Sequence, residues 1–229
     1  MIKGNYQGKF TPHLFSRNDW YYSMNGKVLF KKQKGGGFIV IEGLDGSGKN
    51  AQIELLLDYL RGKQVIATKE PTMESEAGRK IKQALREEIK LTPLELQSLY
   101  VQDRKEHLDN KVIPALKKGK FVLSNRYAFS TFAYGASDGL DLQLLIKMNE
   151  QFLLPDLTII IDVLPESCME RIEGRGEPKE LFEKKEKLVK VSEFYKKMPE
   201  MFKNVIMVNG EKAIPEVFKD IKKIIKKIL

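Results

Sequence analysis

Apolar residues in this chain fall into short continuous runs separated by stretches with helical spacing. Phe38-Ile39-Val40-Ile41 is such a run, as a strand buried on both faces requires. It breaks into glycines at Gly43. Ile53, Leu55, Leu56, Leu57 and Leu60 then crowd one side of a predicted helix, with Glu54 and Asp58 between them. Four more runs predict strands at 64–68, 121–127, 157–163 and 205–209, with helical patterns between them all. Strands alternating with helices predict an α/β fold, with an open, mainly parallel five-stranded sheet and helices on both faces. After the second strand Pro71 stops regular structure, and a helix is expected to resume near Glu74. Thr92 and Pro93 predict the N-cap and first position of another helix. That helix carries Leu96, Leu99, Tyr100, Arg104 and Leu108, with Tyr100 and Arg104 on one face.

The two ends read differently from the middle. Residues 1–34 are aromatic and basic, and 20–30 predicts two short strands around the Asn25-Gly26 turn, with both turn residues at positive φ. Two strands alone are marginal in water, so this hairpin should pack on its own domain rather than on a partner. Gly35-Gly36-Gly37 reads as a flexible joint, dividing an N-terminal arm, 1–36, from a domain spanning 37–229. At the other end Ile221, Ile224, Ile225, Ile228 and Leu229 face opposite lysines. This pattern predicts a helix docked on the sheet rather than one lying on a membrane.

Charge narrows the chemistry. The chain has 229 residues and a net charge of +9, from 40 Lys and Arg against 31 Asp and Glu. That balance suits anionic ligands such as nucleotides. No aromatic-and-basic signature points to nucleic acid. The lone Cys168 excludes an internal disulfide and fits a reducing compartment. No apolar run has the length of a membrane span and the N-terminus lacks a signal-peptide core, so a cytoplasmic protein is expected.

The glycine break carries the candidate chemistry. Gly43-Leu44-Asp45-Gly46-Ser47-Gly48-Lys49 meets the G-x-x-x-x-G-K spacing of a phosphate-binding loop, between a strand and a helix as that motif demands. Its backbone N–H groups and the helix N-terminus suit phosphates, and Lys49 would reach the outer ones. Asn50 stands where Ser or Thr is usual. Later in the chain, Arg171 and Arg175 lie in a stretch with Gly174, Gly176 and Pro178, which predicts a mobile basic loop.

Taken together these residues resemble the thymidylate kinase family from about Gly37 to the C-terminus. Besides the phosphate loop, Thr68-Lys69-Glu70-Pro71 is similar to the family's T-R-E-P. Leu99-Tyr100-Val101-Gln102-Asp103-Arg104 with His107 is similar to L-F-A-A-D-R-x-x-H. Asn125-Arg126-Tyr127 with Ser130, Ala133 and Tyr134 is similar to D-R-Y…S…A-Y-Q, and Glu170-Arg171-Ile172 with Phe182-Glu183 fits the lid. The resemblance implies a P-loop NTPase three-layer sandwich with a lid at about 171–181. It implies ATP-dependent phosphorylation of dTMP to dTDP, with Mg²⁺, in a homodimer.

The resemblance also implies residue roles. Gly43, Leu44, Asp45, Gly46, Ser47, Gly48, Lys49 and Asn50 would hold ATP, with Arg171. Asp45, Glu70, Tyr100, Arg104, Arg126 and Tyr134 would hold dTMP. Among these, Asp45 would accept from the sugar 3′-hydroxyl, Tyr100 would stack on thymine and Arg104 would donate to a base carbonyl. Arg126 would clamp the acceptor phosphate. Lys49, Asp45, Arg126, Arg171 and Arg175 would carry catalysis.

Several positions depart from the family pattern; Lys69 for Arg, Tyr100 for Phe and Gly135 for Gln could relax acceptor selectivity toward dUMP or another pyrimidine monophosphate. Asn50 replaces a hydroxyl and Asn125 an Asp, both on the magnesium side, so that Asn50 would be a weak ligand and the ATP phosphates would hold most of the metal. Gly135 stands where Gln is common. Two other readings therefore accompany the kinase: a degenerate paralogue that binds nucleotides without turnover, and a nucleic-acid-binding or scaffold protein on a kinase fold.

Overall fold

A computed structural model describes residues 20–176 and 180–227. Most of the basic arm, the middle of the predicted lid, and Ile228 and Leu229 lie outside the described residues.

Five parallel strands form the main sheet, in the order β4-β5-β3-β6-β7. They are β3 (Gly37–Gly43), β4 (Val65–Lys69), β5 (Phe121–Asn125), β6 (Leu157–Asp162) and β7 (Val205–Asn209). Every residue of the central β3 is buried, which is why its sequence is continuously apolar up to Glu42. Helices cover both faces. α1 (Lys49–Tyr59) packs on β3, β4 and β5, and α5 (Ala128–Ser137) packs on β3. α8 (Lys185–Met201) lies against α5. α9 (Ile214–Ile225) buries Val217, Ile221 and Ile225 and packs against β7 of the sheet and α1, the docked arrangement its spacing predicts.

The remaining helices are α2 (Glu76–Leu85), α3 (Pro93–His107), α4 (Ile113–Lys117), α6 (Leu142–Asn149) and α7 (Pro165–Glu173). α2 begins two residues later than expected, because Ser75 rather than Glu74 starts it, its hydroxyl accepting from Gly78 N at 2.7 Å. Asp103 of α3 accepts from Thr72 N and Thr72 Oγ1 and also from Ser75, so the two helices are tied at this start. α3 begins as predicted, with Thr92 and Glu95 capping each other's backbone N–H groups. Its far end widens into a single π-turn, Leu108–Val112, before Pro114, which has no N–H to continue the ladder.

β1 (Trp20–Tyr22) and β2 (Val28–Lys31) form a separate antiparallel hairpin. Its turn differs from the expected one. Of the two turn residues only Gly26 has positive φ, and Gly26 N donates to Ser23 O at 2.9 Å. The Ser23 hydroxyl donates to Asn25 Oδ1 and accepts from Lys27 N, which favours a longer loop with Gly26 as its left-handed residue. Met24 N and Asn25 N donate to Phe152 O and Glu150 O, and Leu154 N donates back to Tyr22 O. Tyr21 and Met24 are buried. The hairpin thus packs on its own chain. At Gly36 a Cβ would stand 2.9 Å from the Gly119 backbone, so close approach keeps that position glycine.

Sheet register sets the site. Ile41 lies opposite Asn125, and Gly43 opposite Ile161. The carboxyl ends of β3 and β5 therefore release the phosphate loop and Arg126 side by side, where open α/β sheets hold ligands. Among the described residues no helix is long and apolar enough to cross a membrane.

Candidate active site

The glycine loop is built by close contacts. At Gly46 (φ 81°) a Cβ would come within 2.6 Å of Cys168 O on α7, so the loop fits only without a side chain there. Gly48 (φ 88°) is the left-handed N-cap of α1. Lys49 follows it and turns back into the loop. Its Nζ donates to Gly43 O at 3.1 Å and to Leu44 O at 2.6 Å. Burial, with the charge of Arg126, brings its pKa down to about 7, although Asp45 and Glu42 pull the other way.

Across the loop stands Arg126, one residue past β5. Its φ of 69° is uncommon for a side-chain-bearing residue. Its N–H bonds Ile41 O, which helps to fix that conformation. The guanidinium donates to Asp45 Oδ1 at 2.5 Å and to Ser130 Oγ at 3.0 Å. It also lies over the Tyr134 ring, 5.1 Å from the centroid. Asp45 accepts a second bond from the Tyr134 hydroxyl at 3.0 Å. Burial works against its charge, but Arg126 and Lys49 outweigh that and bring its pKa down to about 2.

Glu42 supports this pair from beneath, a role that its place in an apolar strand did not disclose. It is fully buried. It accepts from Tyr127 N (2.8 Å), Ser130 N (3.1 Å), Ser130 Oγ (2.6 Å) and the Tyr195 hydroxyl (2.9 Å). A carboxylate of β3 thereby caps the start of α5. Burial raises its pKa, while the Arg126 charge opposes the rise.

A cavity of about 660 Å³ opens between this cluster and α3, and Asp45, Lys49, Tyr100, Arg126 and Tyr134 all line it. Tyr100 is half-buried on its wall. Arg104, also on the wall, is almost fully buried. Its Nε and Nη2 reach Glu70 Oε2 at 2.9 and 2.7 Å, Nη1 donates to Asn149, and both Nη atoms reach Thr131 Oγ1. Glu70 is occupied on its other oxygen by His107 Nδ1 at 3.0 Å. Asn149 and Thr131 escaped the sequence reading, since each meets Arg104 only through the fold.

The two predicted lid arginines differ. Arg171, on the last turn of α7, donates to Gly46 O of the phosphate loop at 3.3 Å. Arg175 lines the cavity and forks onto both oxygens of Glu183, at 2.8 and 2.9 Å. Next to it, Leu181 N donates to Leu85 O, and Glu180 pairs with Lys82, so this segment lies against α2 at the cavity rim.

Asn50 and Asn125 meet each other. Asn125 Nδ2 donates to Asn50 Oδ1 at 2.6 Å, and Asn125 Oδ1 is buried without a partner among the described residues. Among the described residues no group of three or more His, Cys, Asp or Glu could hold a metal ion alone. Magnesium keeps several waters and takes its direct ligands from nucleotide phosphates. The partnerless Asn125 oxygen, a neutral acceptor, fits a water of such an ion.

Comparison with known proteins agrees with this geometry. The family model described as thymidylate kinase matches residues 41–221. The chain is 37% identical to a probable thymidylate kinase of Pyrococcus horikoshii over 198 residues, covering 83% of this chain and 96% of that protein. It is 39% identical to a thymidylate kinase of Carboxydothermus hydrogenoformans (82% and 95% covered) and 37% identical to one of Desulfotalea psychrophila (85% and 96% covered). A glycine loop facing an arginine-lined cavity, on a match spanning most of the sequence, places the chain in the thymidylate kinase family.

Proposed function

We propose that the protein transfers the terminal phosphoryl group of ATP to dTMP, giving dTDP and ADP. The observation that carries this is the single cavity in which the Lys49 loop, the Asp45–Arg126 pair and the Tyr100 ring face one another. Phosphoryl transfer needs alignment and positive charge more than covalent help. An acceptor phosphate, with a second pKa of about 6, is already ionised at neutral pH, so no side chain has to act as general base.

Each residue then has a task. The triphosphate displaces the Gly43 and Leu44 carbonyls from Lys49, which follows the charge. The acceptor phosphate takes the Arg126 guanidinium. Asp45, ionised and released from Arg126, accepts from the sugar 3′-hydroxyl. Tyr100 and Tyr134 flank the acceptor. Arg171, already at the loop, moves onto the transferred group, and Arg175 on the cavity wall adds a second positive charge. The Asn50–Asn125 pair would hold a water of a magnesium ion, which would offset charge on the ATP phosphates. A homodimer in the cytoplasm is part of this reading.

A coupled assay with ATP, Mg²⁺ and dTMP tests it. The parent protein should turn over, and Lys49→Ala should lose about 100-fold or more. Absence of turnover in the parent, with nucleotide-dependent thermal stabilisation retained, would favour the degenerate paralogue instead.

A further inference from the structure

Gln97 of α3 is fully buried, and neither the oxygen nor the nitrogen of its carboxamide has a hydrogen-bond partner among the described residues. A buried amide that no protein group pairs disfavours folding, so its persistence asks for a reason. Gln97 precedes Tyr100 by three residues and Arg104 by seven. All three therefore share one face of α3, and all three line the cavity.

Glu70, Asn149 and Thr131 already engage all three nitrogens of Arg104. Gln97 is in the opposite condition, with its hydrogen-bonding capacity unspent. The facing helix makes room for it. A Cβ at Gly135 would stand 3.2 Å from Gln97 Cγ and 2.9 Å from Leu145 Cδ1, so a side chain at 135 would press on Gln97. The family pattern commonly has Gln at that position. Here α3 supplies an amide to the same space from the other side.

We infer that Gln97 is a specificity residue that reads the imide edge of a 2,4-dioxopyrimidine lying against Tyr100. Its Oε1 accepts from the ring N3–H, and its Nε2 donates to a flanking carbonyl. This assignment rests on the dTMP kinase reading. A carboxamide can turn over, so the contact by itself tolerates the reversed edge of cytosine. It rejects a base whose N3 carries a methyl group, which removes the donor and adds bulk.

The test compares the parent with Gln97→Met and Gln97→Leu, which keep the volume and remove the amide. dTMP, dUMP and N3-methyl-dTMP are the acceptors. For Gln97→Met the KM for dTMP should rise about 10- to 100-fold, with kcat changing less and the KM for ATP unmoved. The preference for dTMP over N3-methyl-dTMP should shrink at least about tenfold. The melting temperature of the free protein should stay level or rise, since no bond is lost in it. A structural amide, bonded to a buried water, gives the reverse: a lower melting temperature and an unchanged KM for dTMP, which would overturn the inference. Should Gln97→Met fold poorly, Gln97→Leu carries the same comparison. Thermal shift with dTMP separates the two levels. If the parent gains nothing from dTMP, the kinase reading falls. If parent and variants gain equally, only the role of Gln97 falls.

Discussion

Lys49 donates to the carbonyls of its own loop, and its pKa of about 7 lies well below the ordinary 10.5. Between those values the unfolded chain binds more protons at this group. Its contribution to stability therefore rises with pH across that window and is lost as pH falls toward 7. Triphosphate binding has the opposite pull and restores the charge. At pH 8 ATP binding should then take up close to one proton per site. Calorimetry in buffers of different ionisation enthalpy measures this, and Lys49→Met should abolish the uptake. The lysine itself was legible from glycine spacing alone, because a phosphate loop is local: seven consecutive residues suffice to make it. Its neighbours were not. Glu42 looks like an interruption of an apolar strand until α5 and α8 bring Ser130 and Tyr195 to it from 88 and 153 residues away.

Elements explain what single residues leave open. The start of α3 could be read from Thr92 and Pro93, and the capping bonds between Thr92 and Glu95 span only three residues. Its inward face could be read from Tyr100 and Arg104. The partners of Arg104 could not, since Thr131 and Asn149 arrive on α5 and α6. The same limit hid the link between α1 and β5. Asn50 and Asn125 look like two independent losses in sequence, yet they bond across 75 positions. Replacing either alone leaves the other amide short of a partner. Asn50→Ser and Asn125→Asp should therefore be non-additive in a double-mutant cycle, with a coupling of about 1 kcal/mol in urea unfolding. If magnesium support is what the pair weakens, the double variant alone should raise turnover. An unchanged rate would separate the pair from the metal.

At the scale of the whole molecule, the parallel sheet follows from the alternation of apolar runs and helical patterns. The hairpin is the part whose placement needed the structure. Tyr21 and Met24 are buried, and the hairpin turn bonds backbone atoms of 150–154. It should therefore unfold with the sheet as one unit. Tyr21→Ala should cost about 3 kcal/mol, with a single transition by circular dichroism and tryptophan fluorescence. A separate early fluorescence change from Trp20 would show the hairpin melting alone. The Asp45–Arg126 pair has a wider consequence. An anion that takes the Arg126 Nη2 donor competes with Asp45, so a bare inorganic phosphate should exchange one contact for another and leave Asp45 with Tyr134 alone. A ligand that also brings a sugar hydroxyl satisfies both sides of the broken pair. On the proposed roles of the two residues, the protein should ignore one of the commonest anions around it and still grasp the same group when it arrives attached to a nucleoside.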